Sequence, residues 1–292
     1  MKLTHGRAAA LMLLVTLMWS IAGVVTRHLE AARSFEVTFW RSFFTALSLL
    51  VILPVAQGRQ VFRTIRGGKG AFWLSGVCWA VMFTAFMVAM TLTTVANVLI
   101  TMAAAPFVTA VIARFVLRQH ILPRTWWAIA AAAGGIAWMY GAQLSVSGSH
   151  LIGMLLALLV PLAAGANWTV VQYSRMHGQD IDLVPAVMVG AMMSALLALP
   201  LALPLTATAH DMLLLAALGL FQLAIPCVLA VLCARALKAP EMALLALLEV
   251  IFGILLVWAG AGEAPGPRVL MGGAVVIGAL VVNELVGWRQ KS

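Results

Sequence analysis

The sequence predicts an all-α polytopic membrane protein with ten transmembrane helices in two inverted five-helix repeats and both termini cytoplasmic. Three observations predict it. Hydrophobic residues make up 64% of the 292 and charged residues only 9%, against ~45–50% and ~25% in a soluble globular chain. The mean hydropathy is +1.06. The charges fall in short breaks between long uncharged runs. This composition excludes a water-soluble enzyme with one apolar core. It also excludes disorder, which needs low hydrophobicity and high charge.

The uncharged runs set the spans. Nineteen residues separate Arg7 from Arg27, 44 separate Lys69 from Arg114, and 50 separate Arg124 from Arg175. A membrane-crossing helix needs ~20 apolar residues, so each of the two longest runs holds two spans. The resulting helices are 8–27, 37–56, 71–92, 95–117, 125–142, 151–172, 184–203, 210–234, 241–259 and 269–287. The first begins like a signal peptide, with Lys2 and Arg7 before an apolar run. Its run is longer than a cleavable h-region of ~7–15 residues and ends without an A-x-A-like site, so it is read as a retained helix. The longest connection, about residues 57–70, is too short for a nucleotide-binding domain.

Lys and Arg orient the bundle. If both termini are cytoplasmic, that side receives 14 of the 18 basic residues, and Arg27, Arg33, Arg41 and Arg268 stay outside. Retention of Lys and Arg in cytoplasmic loops is the expected bias. The net charge of +9 thus reflects topology, and no aromatic-interleaved basic patch points to nucleic acid. The location expected is the plasma membrane, the inner membrane if the cell is bacterial.

An internal duplication divides the chain into residues 1–143 and 144–292. Pro123-Arg124 precedes helix 5 and Pro267-Arg268 precedes helix 10, both at an offset of 144, which also carries Gly134 onto Gly278. Five helices is an odd number, so the second copy enters from the opposite side. Inverted repeats of this kind are the plan of many secondary transporters, with the substrate near the midplane between halves.

Ten helices in two five-helix halves resemble the EamA-type branch of the drug/metabolite transporter superfamily. Trp19-Ser20 on helix 1, Pro106 on helix 4 and Glu249 on helix 9 match positions typical of that family. Val250 stands where the family usually has Pro after the Glu, and Arg118-Gln119-His120 replaces its acidic residue after helix 4. The chain looks most like the YddG-type exporters of aromatic and other amino acids. The resemblance implies export of amino acids and related small metabolites by alternating access around a central cavity. The alternatives are a lipophilic cation or drug exporter of the same fold and a non-transporting membrane scaffold.

Glu249 is the most informative position for function. It lies eight residues into helix 9, ~12 Å from its start at 1.5 Å per residue. A carboxylate at that depth costs ~2.5–3.5 kcal/mol even on the lenient insertion scale, and such groups mark substrate or proton paths. Its candidate roles are binding a substrate ammonium and exchanging a proton; a structural glutamate is the bland alternative. Trp19, Trp79 and Trp168 lie deep in their spans, whereas Trp40, Trp73, Trp126, Trp127, Trp138, Trp258 and Trp288 lie near helix ends, where aromatic belts form. Phe83 shares a face with Trp79. These rings either pack against lipid and neighbours or wall a cavity for flat, apolar substrate parts. Thr101, Asn167 and Gln222 are polar groups inside spans that either bind substrate or only join helices. Arg41, near the outer end of helix 2, is expected to snorkel to the outer interface; attraction of an anionic group at the external mouth is the alternative.

Pro106, Pro161 and Pro226 are the candidate gating or hinge positions, because each removes a backbone bond inside a span. Cys78, Cys227 and Cys233 form no C-x-x-C pair and are read as buried structural thiols. No histidine lies mid-span, Asp180 and Asp182 form a lone D-x-D, and neither H-E-x-x-H, G-x-S-x-G nor a P-loop occurs. No catalytic residue, cofactor or metal is therefore expected. The expected partners are a small-molecule substrate and membrane lipid. The oligomeric state is left open by the sequence, and a monomer suffices.

Overall fold

The computed structural model describes residues 4–32, 34–118, 123–141, 148–178, 181–237 and 239–289. Gln143 to Ser147, which form most of the expected boundary between halves, lie outside them, as do Gln119, His120, Asp180 and the side chain of Trp288. The described residues are helical and contain no strand. In order they form α1 (His5–Thr26), α2 (Ser34–Gln57), α3 (Gln60–Arg66), α4 (Gly70–Leu92), α5 (Val95–Met102), α6 (Ala105–Val116) and α7 (Pro123–Gly141). There follow α8 (Gly148–Met176), α9 (Val184–Ala202), α10 (Ala209–Ala217), α11 (Ile225–Ala234), α12 (Ala239–Ala261) and α13 (Pro267–Arg289).

Among the described residues, eight helical segments are long and apolar enough to cross a membrane. They are α1, α2, α4, α5 with α6, α8, α9, α10 through α11, and α12. The helices expected fifth and tenth are α7 and α13, whose apolar stretches within the described residues are Trp126–Trp138 and Pro267–Ala279. The chain is a multi-pass membrane protein.

Two spans expected as single helices are interrupted. The segment 95–117 turns at Ala103-Ala104 between α5 and α6. Pro106 sits in the first turn of α6, where its missing N–H leaves no gap in the helical ladder. The segment 210–234 contains a π-helical stretch, Leu218–Ala224, between α10 and α11. Pro226 cannot donate to the carbonyl of Gln222 four residues back, and the wider π turn accommodates that break. Pro161 lies inside α8, which runs on without interruption. The connection 57–70 is also not plain loop, since α3 forms there with Val61 buried and Arg63 and Arg66 in its last turn.

In the bundle, α1 lies along α12, α2 along α9, and α4 against both α8 and α9. α5 and α6 pack on α8, α10 to α11 pack on α1 and α2, and α7 packs on α13. Lipid provides no hydrophobic force to press helices together, so close backbones and interhelical hydrogen bonds do that work. Ser194 of α9 is within hydrogen-bond reach of Ser42 on α2 at 2.9 Å and Thr84 on α4 at 2.8 Å. At Gly190 a Cβ would lie 2.4 Å from the Trp79 Cβ, so only glycine allows α9 this close to α4.

Carboxylates tie the loops at the face where α1 ends. Glu263 accepts from Arg27 Nε at 2.6 Å and from the Val95 amide at 2.8 Å. The same guanidinium donates to the carbonyls of Met90 and Thr93. Asp211 accepts from the amides of Glu30, Ala31 and Ala32 at 2.8–3.0 Å and completes a capping box with Thr208 at the start of α10. Glu36 accepts from the amides of Thr206 and Ala207, both at 2.7 Å. Each carboxylate is held by backbone donors, which keep a negative charge satisfied where water is scarce.

Candidate functional site

A cavity with about 810 Å³ of space not filled by atoms, part of it open, lies at the centre of the bundle. Its wall draws on α1, α2, α4, α5, α6, α8, the π stretch, α11 and α12, so both halves of the sequence contribute. Most of the surface is apolar, formed by Trp79, Met82, Phe83, Phe86 and Trp168 on one side and by Ala243, Ala246, Leu247 and Val250 on the other.

The α4 rings follow from helical spacing. Positions 79, 82, 83 and 86 are i, i+3, i+4 and i+7 and share one face. Trp79 stacks tilted on Phe83 with ring centroids 5.5 Å apart and meets Trp168 of α8 edge to face. Trp19 of α1 joins the wall, and its carbonyl accepts from Gln222 Nε2 at 3.3 Å. The π stretch carries Gln222 onto the wall, and π segments recur at functional sites. Gly219, three residues earlier, admits α2 closely: a Cβ there would stand 2.6 Å from the Phe44 Cβ and 3.0 Å from the Arg41 carbonyl.

Of the residues singled out from the sequence, Trp19, Trp79, Phe83, Pro161, Trp168, Gln222 and Glu249 all stand on this wall. Thr101, Asn167, Pro106 and Pro226 do not. Thr101 donates to the Asn97 carbonyl on its own helix at 2.8 Å. Asn167 accepts from Ser75 Oγ at 2.7 Å and so joins α8 to α4. Of the three thiols, all buried, only Cys227 is on the wall.

Arg41 overturns its expectation. It does not snorkel: its side chain is fully buried on the cavity wall. Nη1 donates to Gln222 Oε1 at 3.2 Å, Nη2 donates to the Phe83 carbonyl at 3.1 Å, and the guanidinium carbon lies 5.5 Å from the Phe86 ring centroid. Nε is buried with no partner. The signal was available in the sequence. Thr38, Arg41, Ser42 and Thr45 fall at i, i+3, i+4 and i+7, a polar stripe that all turns inward. A snorkelling arginine has no need of polar neighbours along its face.

Glu249 is the eleventh residue of α12 and is 6% exposed, on the cavity side. Its carbonyl accepts from Ser20 Oγ at 3.4 Å. Among the described residues its carboxylate accepts no hydrogen bond and forms no ion pair within 4.0 Å. The arrangement can therefore offer a ligand aromatic faces, one cation with a spare donor and one carboxyl group.

Residues 6–141 match the model of the EamA-like transporter family, a family of membrane transporters. One solved crystal structure is similar over 98% of this chain and 99% of that chain, with a TM-score of 0.69 and 17% identity, a likeness of fold alone. Among curated proteins none matches the chain.

Proposed function

We propose that the protein is a secondary transporter that exports amino acids and related small metabolites by alternating access around the central cavity. In this reading α7 and α13 complete a set of ten spans, arranged as two inverted five-helix repeats with both termini cytoplasmic. The helix packing supports the duplication. If α1 corresponds to α8, α2 to α9, α4 to α10–α11, α5–α6 to α12 and α7 to α13, the contacts map onto themselves. α4 on α8 answers α11 on α1, α4 on α9 answers the π stretch on α2, and α6 on α8 answers α12 on α1. The match of residues 6–141 to a transporter family supports transport over a scaffold role.

The observation that carries the reading is the cavity itself. It lies between the two halves, where substrates bind in inverted-repeat transporters, and it combines Trp19, Trp79 and Trp168 with the Glu249 carboxyl group. The rings suit the flat or apolar part of a cargo, as in the exporters of aromatic and other amino acids that the sequence resembles. The test is counterflow in proteoliposomes containing the purified full chain, with a panel of amino acids and of lipophilic cations. Exchange of amino acids above protein-free vesicles is expected. Exchange of cations alone would favour the drug-exporter alternative, and no exchange of either class would leave the scaffold.

A further inference from the structure

Arg41 and Glu249 form an unusual pair. Both are buried, they are of opposite charge when ionised, and they face the same cavity. Each loses hydration worth several kcal/mol, and direct pairing is the ordinary way to recover it. Here they make no contact within 4.0 Å. Both are tied to neighbouring residues of α1: the Trp19 carbonyl is bonded to Gln222, which is bonded to Arg41, and Ser20 is bonded to the Glu249 backbone. Arg41 is held in place from two sides, by Gln222 and by the Phe83 carbonyl. Two of its five N–H groups are used, and the buried Nε has no partner.

We propose that Arg41 and Glu249 are the two poles of a zwitterion clamp, Arg41 taking the α-carboxylate of a free amino acid and Glu249 its α-ammonium. The inference rests on the transporter reading and deepens it by assigning what selects the cargo. A zwitterion supplies both missing partners at once and leaves no net charge in the cavity. A lipophilic cation satisfies Glu249 but brings a second positive charge towards Arg41, and an organic anion does the reverse. Arg41 is thus a specificity residue, while Phe83, Phe86, Trp79 and Trp168 take the side chain. That favours aromatic and large apolar amino acids.

The test uses L-phenylalanine counterflow in proteoliposomes, with two competitors that each lack one pole. 2-Phenylethylamine has no carboxylate and 3-phenylpropionate has no ammonium. Each should compete at least about tenfold more weakly than phenylalanine, the scale of one lost hydrogen bond to a charged group. In Glu249→Gln, phenylalanine and 3-phenylpropionate should compete within about threefold of each other, while 2-phenylethylamine stays disfavoured. Arg41→Gln should do the converse. The competitor series on the unmodified protein decides the matter if the Arg41 variant fails to fold. Phenylalanine exchange with both competitors equally effective, or full discrimination in Glu249→Gln, would overturn the clamp while leaving transport intact. Absence of any amino-acid exchange would overturn the amino-acid exporter reading itself.

Discussion

Trp79 and Trp168 meet edge to face, with ring centroids 5.8 Å apart and planes at 87°. The contact joins α4 to α8 and places both rings on the cavity wall, each 5% exposed or less. It gives the wall a fixed aromatic corner, because each ring limits the other's rotation.

Trp168→Ala removes half of that corner. Edge-to-face pairs contribute ~0.5–1.5 kcal/mol beyond burial, so exchange of phenylalanine should weaken about two- to tenfold relative to exchange of alanine. The ratio of the two half-saturation concentrations checks this. An equal loss for both amino acids would mean that the ring only supports the helix contact.

Gly190 stands behind the same corner. An added Cβ would meet the Trp79 Cβ at 2.4 Å and the Gly76 carbonyl at 2.8 Å, neither of which can swing aside. Gly190→Ala should cost about 1–3 kcal/mol through overpacking and lower the thermal midpoint in detergent. Gly134→Ala, with nothing within 4 Å of its new Cβ, is the control and should leave the midpoint unchanged or slightly raised.

The Arg27–Glu263 ion pair ties the ends of α1, α4 and α12 together at one face. Glu263→Gln should loosen that face and let reagent reach the cavity. Cys227 on the cavity wall reports it, once Cys78 and Cys233 are replaced by Ala. The labelling rate of Cys227 should rise about tenfold, in line with the loss of a charge-assisted bond. An unchanged rate would remove this pair from any closure of the face.

Orientation is tested at positions on opposite faces. A cysteine in place of Gly67, beside Arg63, Arg66 and Lys69, should be shielded from an impermeant thiol reagent in intact cells. One in place of the exposed Ala264 should label. The basic loops are expected on the cytoplasmic side, so labelling at position 67 alone would invert the topology.

The sequence alone determined the helical class and marked the eight segments that are long and apolar enough to cross a membrane, because a long uncharged run is a local property that lipid reads directly. It also marked Glu249, whose distance from the nearest charged loop is countable along the chain. The tertiary structure decided which way each side chain turns. In a lipid-solvated helix the outer face is as apolar as the packed one, so hydrophobic periodicity does not separate inside from outside. That is why Gln222 and Asn167 looked equivalent, yet Gln222 reaches the cavity and Asn167 bonds Ser75 of a neighbouring helix. The breaks around Ala103 and at Leu218–Ala224 likewise depend on what packs beside each proline. Arg41 shows the limit most clearly. Its chain length allows both a reach to water and a reach inward; the polar stripe along α2 favours the inward one, but only the packing of α2 against the π stretch, through Gly219, places Gln222 where it can hold the guanidinium in the core.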